Sequence, residues 1–390
     1  MKRGFFGGTF NPPHQGHVRA AAAAARQLEL ESLCVIPAGT PPHKELPEGS
    51  PTPEQRREMA GLAFGSVPGL RMLDWELLRP GRSYTADTVE RLLSEDPEGE
   101  LWLLCGTDMF ETLPHWYRGK WLLSVLHVAV YPREAGQEEL IDELAEQYRR
   151  DYGARVRRIE LTPTAVSSTL LRSLLREGKG AEYLPEPVYA YILKNRLYTV
   201  RPEPEALWKL AEGWYKPSRI PHVLGCRSEA VRLARRWGAD PLDAETAAIL
   251  HDITKKMPAE EQLRLCRERG TPVPDYRPEL EAMLHAFSGA AAAALEFGVS
   301  PEVESAIRWH TTGRADMSLL EKIVWLADYI EPNRSTPGVD AVRDAAYKNL
   351  DEALTLALEH SLEYLERKGF TPHPATREAL AFLQRGETGR

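Results

Sequence analysis

The first 199 residues alternate short apolar runs with helix-forming stretches, and the alternation stops after Tyr198. Six runs read as strands: Arg3–Phe6, Ser32–Pro37, Leu70–Trp75, Leu101–Cys105, His127–Tyr131 and Val156–Leu161. Helical patterns fall between most of them, notably His17–Leu28 and Pro53–Phe64. Such βαβ alternation predicts a doubly wound parallel sheet, which binds ligands beyond the carboxyl ends of its strands. Past the polar, proline-bearing break Thr199-Val200-Arg201-Pro202-Glu203-Pro204, strand signals vanish. Helical windows follow at Glu205–Trp214, Cys226–Trp237, Asp243–Lys256, Pro258–Arg269, Glu279–Phe297, Pro301–Trp309, Leu319–Ile330 and Asp340–Arg367. The expected class is α/β plus all-α, with a domain over 1–199, a linker over 200–204 and a second domain over 205–390. The alanine runs Ala20–Ala25 and Ala290–Ala294 read as helix propensity.

Length and composition agree with two globular domains. The chain has 390 residues, 43% hydrophobic and 27% charged, which excludes a disordered or fibrous protein. No apolar run approaches the ~20 residues of a membrane helix. The most apolar stretch, Trp121–Tyr131, is interrupted by Ser124 and His127. The net charge of −8 divides into −3 for residues 1–200 and −5 for 201–390, so neither half suits a nucleic-acid backbone. Four dispersed cysteines without a CxxC pair, and Met1-Lys2-Arg3 leading at once into a glycine-rich turn, point to the reducing cytoplasm.

The first chemical signal joins the first strand to the first helix: Gly7-Gly8-Thr9-Phe10-Asn11-Pro12-Pro13-His14-Gln15-Gly16-His17. Glycines let backbone approach a ligand closely, and a helix start offers free N–H groups and a positive dipole end. His14 and His17, three apart, can face one way toward a phosphate chain. Alone, that spacing would fit two surface histidines on a turn. Far along the chain, Thr164-Ala165-Val166-Ser167-Ser168-Thr169-Leu170-Leu171-Arg172 repeats the logic. Ser167 or Ser168 would cap a helix, and Arg172 lies one turn further on the same face as Ser168.

Together these segments resemble the bacterial nicotinate-nucleotide adenylyltransferases. The likeness extends through Pro41-Pro42-His43-Lys44, Ser83-Tyr84-Thr85-Ala86-Asp87-Thr88, Gly106-Thr107-Asp108-Met109 and Leu113-Pro114-His115-Trp116-Tyr117. It covers residues 1–199, and Thr107 departs from the small Ala or Ser more usual there. The resemblance implies a Rossmann-like nucleotidyltransferase that joins ATP to nicotinate mononucleotide. It places the ATP phosphates, with Mg²⁺ carried on them, on His14, His17 and Arg172, helped by Ser167 and Ser168. Gly8, Thr9, Phe10 and Gly106 would complete the ATP site, and Asp108 would contact a ribose. Lys44 would meet the acceptor's phosphate, Trp116 would stack its pyridine ring, and Thr85 with the Tyr117 backbone would receive its carboxylate. The acceptor's phosphate is already a nucleophile, so alignment and charge neutralisation carry the catalysis.

The second half carries His222, His251-Asp252, His285, His310 and Asp328, each flanked by apolar residues. The segment Leu250–Lys256 reads as lying inside a helix, and the other four fall one per predicted helix or helix edge. Buried ionisable groups need partners or a metal, and imidazole with carboxylate suits Fe, Mn, Co or catalytic Zn. With His222-Val223-Leu224-Gly225, His310-Thr311-Thr312-Gly313 and Ala327–Arg334, this pattern resembles the HD superfamily. Within it the match is to symmetrical diadenosine tetraphosphatases, over roughly residues 205–370. The resemblance implies an all-helical HD domain with two metal ions, iron foremost, and Asp252 as a bridging ligand. Diadenosine tetraphosphate would then be split into two ADP, with Arg334 and Lys255 as further phosphate contacts. His285-Ala286-Phe287-Ser288-Gly289 departs from the expected Gly-Pro pair.

Other readings remain open from sequence alone. The first domain could use phosphopantetheine or another mononucleotide. The second could act on another nucleotide, such as a guanosine tetraphosphate, or serve as a metal-stabilised regulatory or oligomerisation module. The partners expected are small nucleotides, with no nucleic acid and no membrane, and a homo-oligomer stays open.

Overall fold

The computed structural model describes residues 1–39, 46–79, 81, 83–273 and 281–386. Contacts divide the chain into two compact units, residues 1–192 with 197–200 and residues 193–196 with 201–390.

The first unit holds strands β1 (Lys2–Gly8), β2 (Ser32–Pro37), β3 (Leu70–Met72), β4 (Glu100–Gly106), β5 (His127–Tyr131) and β6 (Arg155–Arg158). They form one sheet in the order β3-β2-β1-β4-β5-β6, with every pairing parallel. This is the doubly wound order, and its switch point lies between β1 and β4. Helices α1 (Gln15–Leu28), α2 (Pro53–Phe64), α3 (Thr85–Glu95), α4 (Thr107–Thr112), α5 (Gly119–Val125), α6 (Glu138–Tyr152), α7 (Ser168–Arg176) and α8 (Glu186–Lys194) complete it. The inner strands read cleanly because they are apolar on both faces: Val35, Ile36, Val128, Ala129 and Val130 are all fully buried.

The two edge strands differ from expectation. β3 stops at Met72 rather than Trp75, and β6 runs over Arg155–Arg158 rather than Val156–Leu161. Each pairs on one side only, so apolar pattern alone does not set its ends. In α1 the buried face is alanine (Ala20, Ala21, Ala23, Ala24) closed by Leu28, which allows a close approach of the helix.

The second unit is helical among the described residues: α9 (Pro204–Ala211), α10 (Ile220–Trp237), α11 (Pro241–Leu250), α12 (Ala259–Arg269), α13 (Glu281–Glu296), α14 (Pro301–Trp309), α15 (Leu319–Ile330), α16 (Val339–Ala346), α17 (Leu350–Arg367) and α18 (Pro374–Gln384). Its core gathers Leu233, Trp325, Leu326, Val342, Leu354 and Leu358 from α10 and α15–α17. Helix α15 begins in a capping box, with Ser318 Oγ accepting from the Glu321 N–H and the Glu321 carboxylate from the Ser318 N–H.

Three expectations are corrected here. The His251-Asp252 pair does not lie inside a helix: α11 ends at Leu250, and residues 251–256 are turns. The His251 ring takes the Ala248 carbonyl (2.7 Å), and the next backbone bonds run three residues back, from Ile253 to Leu250 and from Lys255 to Asp252. The Asp340–Arg367 window splits into α16 and α17, because Asn349 caps a new helix start at the Glu352 N–H. Helix α18 carries its own start signal, His373 as cap before Pro374, and the sequence reading passed over it. No helix among the described residues is long and apolar enough to cross a membrane.

Candidate functional site

In the first unit the site begins where two strands part. β1 pairs with β2 as far as Gly8 opposite Pro37, but with β4 only to Phe5 opposite Leu103. Two clefts of about 180 and 190 Å³ open at the carboxyl ends of β1 and β4, sharing Gly7, Gly8, Thr9 and Met109 as walls.

The larger cleft is polar and gathers candidates from distant stretches of chain. Gly8, Thr9, Phe10 and His17 meet Asp108, Ser167, Ser168 and Arg172 there. His14 caps α1, and its backbone N–H donates to His17 Nδ1 (3.2 Å), which leaves the His17 proton on Nε2. The two rings lie 3.7 Å apart between centroids, with His14 buried beneath and neither of its ring nitrogens hydrogen-bonded. Burial, reinforced by Arg133, pulls His14 down to about 3 and His17 well below the usual imidazole range. Both are therefore neutral donors at physiological pH. Positive charge comes from Arg172 and from Arg133, which the sequence reading missed. Arg133 Nε lies 3.9 Å from the exposed Asp108 carboxylate, and the residue follows β5 at the carboxyl edge of the sheet.

Helix α7 is fastened to the β1–α1 loop: Ser168 Oγ donates to the Pro12 carbonyl (2.9 Å) and Arg172 Nη1 to the Asn11 carbonyl (2.7 Å). Ser167 serves as its N-cap. Gly106 caps α4, and the adjacent Thr107 is fully buried with its hydroxyl on the Tyr131 carbonyl (3.3 Å). The unusual threonine thus pins α4 to β5.

The smaller cleft is mainly apolar and holds Thr85, Trp116 and Tyr117. Trp116 Nε1 donates to Thr112 Oγ1 (3.1 Å), which fixes its indole, and the Tyr117 ring leans on Tyr84 (4.8 Å). Thr85 opens α3, whose N-terminal amides receive no side-chain cap, an arrangement suited to a carboxylate. Glu76, also missed, lines this cleft; burial pushes its carboxyl upward, and Thr88 donates to it (2.9 Å). A third missed residue, Arg56, is fully buried and donates to the carbonyls of Thr9, Ala38 and Gly39. No pattern within α2 marks it as different from its neighbour Arg57. Lys44 lies outside the described residues.

In the second unit the six candidate ligands converge. His222 sits in the first turn of α10, His251 and Asp252 follow α11, His285 is in α13, His310 ends α14 and Asp328 is in α15. His251, His285 and His310 each donate Nδ1–H to a backbone carbonyl three residues back (2.7–2.8 Å), and His222 Nδ1 faces the Glu331 carboxylate (3.1 Å). A carbonyl oxygen only accepts, so Nε2 is left unprotonated and aimed inward. His222 Nε2 is 3.2 Å from His251 Nε2 and 3.0 Å from Asp328 Oδ1, and His285 Nε2 is 3.0 Å from Asp252 Oδ1. The Nε2 atoms of His285 and His310 are buried without a hydrogen bond.

Lone pairs facing lone pairs and carboxylates at these distances repel unless a cation lies among them. The donor set therefore fits metal ions, and two overlapping groups, His222-His251-Asp328 and His251-Asp252-His310, each bring their donor atoms within 4.8 Å. Burial opposes ionisation of Asp252 and Asp328, and the Arg334 guanidinium beside Asp328 favours it. Arg219 and Lys255 also contact Asp252, and Arg334 contacts Asp328 (2.6 Å).

The supporting shell was only partly visible in sequence. Glu331 is buried; besides His222 it accepts from the Asn333 N–H (2.7 Å), and a Cβ at Gly225 would come within 2.4 Å of its Oε2. Glu331 lies inside the motif noted above but carries no assignment there. Ser288, where the Gly-Pro pair is lacking, joins a buried chain from Thr254 Oγ1 (2.7 Å) to Gln262 Oε1 (2.8 Å), tying the Asp252 turn to α13.

Residues 5–174 match the cytidylyltransferase-like family and residues 219–333 the HD domain family, which defines a nucleotidyltransferase unit beside an HD unit. A protein of Carboxydothermus hydrogenoformans named "probable nicotinate-nucleotide adenylyltransferase" is 36% identical over 198 residues, spanning 50% of this chain and 98% of its own. The symmetrical bis(5'-nucleosyl)-tetraphosphatase of Bacillus subtilis is 42% identical over 161 residues, spanning 40% of this chain and 85% of its own. The solved structure of an HD superfamily hydrolase from Clostridium acetobutylicum, described as involved in NAD metabolism, is 35% identical over 47% of this chain and 97% of its own, with a TM-score of 0.44. The chain belongs to the nicotinate-nucleotide adenylyltransferase family in its N-terminal half and to the HD-domain family of the symmetrical tetraphosphatases in its C-terminal part.

Two predictions follow from the site's electrostatics. The unfolded chain protonates His14 and His17 near their usual value while the folded unit resists, so stability of the first unit falls as pH drops from about 6.5 toward about 3. Each imidazole contributes a slope of about 1.4 kcal/mol per pH unit; urea midpoints between pH 6 and 4.5 should shift less in a His14→Gln protein than in wild type. In the second unit, chelation should remove bound metal and lower that unit's thermal midpoint by several degrees. Asp252→Ala protein should bind less metal by elemental analysis; full metal content in the variant would contradict the ligand assignment.

Proposed function

We propose that the chain is a bifunctional nucleotide enzyme. Its first unit transfers the adenylyl group of ATP to nicotinate mononucleotide, giving nicotinate adenine dinucleotide and diphosphate. The reading is carried by the pairing of a basic, glycine-walled cleft with a smaller aromatic one across the β1–β4 crevice. Neutral His17 donates from Nε2 to the triphosphate, while Arg172 and Arg133 offset the charge growing on the leaving diphosphate, with Mg²⁺ accompanying ATP. Trp116 stacks the pyridine ring, the free amides at Thr85 and the Tyr117 backbone take its carboxylate, and Lys44 meets the acceptor's phosphate. Asp108 contacts a ribose, and Gly8, Thr9, Phe10, Gly106, Ser167 and Ser168 complete the ATP site.

The second unit hydrolyses diadenosine tetraphosphate at its centre, giving two ADP. What supports this is the inward convergence of four imidazole Nε2 atoms on two carboxylates. Iron is the metal proposed for this nitrogen and oxygen donor set, which contains no thiolate. Metal ions held there would polarise a phosphoryl oxygen and acidify water. The Asp252 carboxylate has His222, His251, His285 and His310 within 4 Å, where it would serve two ions. Arg334 and Lys255, already at the carboxylates, are placed to neutralise phosphate oxygens.

A His17→Ala protein should lose adenylyl transfer to nicotinate mononucleotide by about 10²–10³-fold, measured as dinucleotide formed from labelled ATP. Retention of full activity would end that assignment, and preference for another acceptor would redirect the substrate. For the second unit, metal-replete protein should release ADP alone from diadenosine tetraphosphate, resolved by anion exchange, and Asp252→Ala should not. ATP plus AMP would mean the wrong bond; no turnover with several divalent metals would point to another nucleotide or to a regulatory module.

A further inference from the structure

Beside the metal-ligand cluster, the second unit has a separate cleft of about 180 Å³ that ends at Asp252. Its walls carry Trp214, Lys216, Arg219, Lys255 and Lys256, four cations against the single acid Asp252. Such a charge excess beside a hydrolytic centre suits an anion of several charges. The two walls are fixed. Lys256 Nζ donates to the Gly213 carbonyl (2.7 Å), and the Tyr215 hydroxyl donates to the Ile249 carbonyl while its ring stacks on Trp208. Trp214, half-buried, lines the cleft and is held edge-on against Phe297 (5.9 Å between centroids). Lys216 is exposed on the same cleft wall. Arg219 and Lys255 share the carboxylate of Asp252. Any cation taken by that carboxylate competes with both, leaving them on the cleft wall to meet phosphate oxygens.

We propose that this cleft seats one nucleoside phosphate half of the hydrolase substrate. The base lies on Trp214, and the phosphates run past Lys216, Lys255 and Arg219 toward Asp252. The inference deepens the hydrolase reading and rests on it for the identity of the substrate. It adds an aromatic base platform, which metal ligands and arginines alone do not provide. Stacking on an aromatic ring is tolerant of base identity, so specificity at this end is for a nucleotide rather than for adenine.

The test uses the full, metal-loaded chain and the photoprobe 8-azido-ADP, read by mapping the peptide of residues 210–219. That peptide should be labelled in wild type and protected by ADP. In Trp214→Ala the ADP concentration giving half-protection should rise about tenfold, and Trp214→Phe should restore it to within about twofold of wild type. Half-protection by inorganic diphosphate should shift less than about twofold in Trp214→Ala, since only the base is released. Labelling that falls on other peptides of the second unit and spares 210–219, or ADP protection indifferent to Trp214→Ala, overturns the cleft. Protected labelling of 210–219 in a protein that releases no ADP from diadenosine tetraphosphate upholds the cleft and removes the substrate reading; release of ADP without that labelling does the reverse.

Discussion

Both units are organised around sites whose groups are set to receive a partner of opposite charge. In the second unit, four imidazole nitrogens converge on two carboxylates, with donor atoms as close as 3.0 Å, among mostly buried residues. Everything nearby serves to keep that arrangement from relaxing. Each ring is clamped at Nδ1, the Asp252 turn is bonded to α13 through Thr254 and Ser288, and arginines sit on the outer faces of the carboxylates. A cation held among these donors would relieve their crowding, so its binding free energy would add to the stability of the folded unit. The first unit inverts the sign. Neutral His17, two arginines and uncapped helix amides face open clefts at a strand switch point and await an anion.

Much of the framework was legible in the sequence. The central strands β1, β2, β4 and β5 fall within a residue or two of their apolar runs, because burial on both faces leaves few polar residues to blur the ends. The edge strands and the Leu250–Lys256 turn were less legible for local reasons. An edge strand such as Arg155–Arg158 is mostly arginine, and the turn is stabilised by a side chain taking a backbone carbonyl. Helical spacing alone sees neither.

Within the candidate sites, residues with unusual chemistry announced themselves, whereas their supports did not. Four histidines and two aspartates stand out in a helical half; one buried arginine beside Arg57 among the 12 residues of α2 does not. Arg56, Glu76, Arg133 and Glu331 owe their importance to what the fold brings against them: three carbonyls, a cleft floor, two histidines and a ligand's far nitrogen. That information is tertiary. Ser288 and Thr107 show the same point from the other side, since each looked like a defect in a motif and each closes a hydrogen bond.

Gly225 extends this to a residue with no side chain at all. The Glu331 carboxylate that steadies His222 occupies the space where a Cβ at position 225 would stand. One methyl group there would turn the carboxylate, release the ring and misdirect a ligand nitrogen without touching any donor atom. The information needed to build the centre is thus partly written as empty volume, and the smallest possible enlargement of the chain at that point acts on it as the loss of a ligand would.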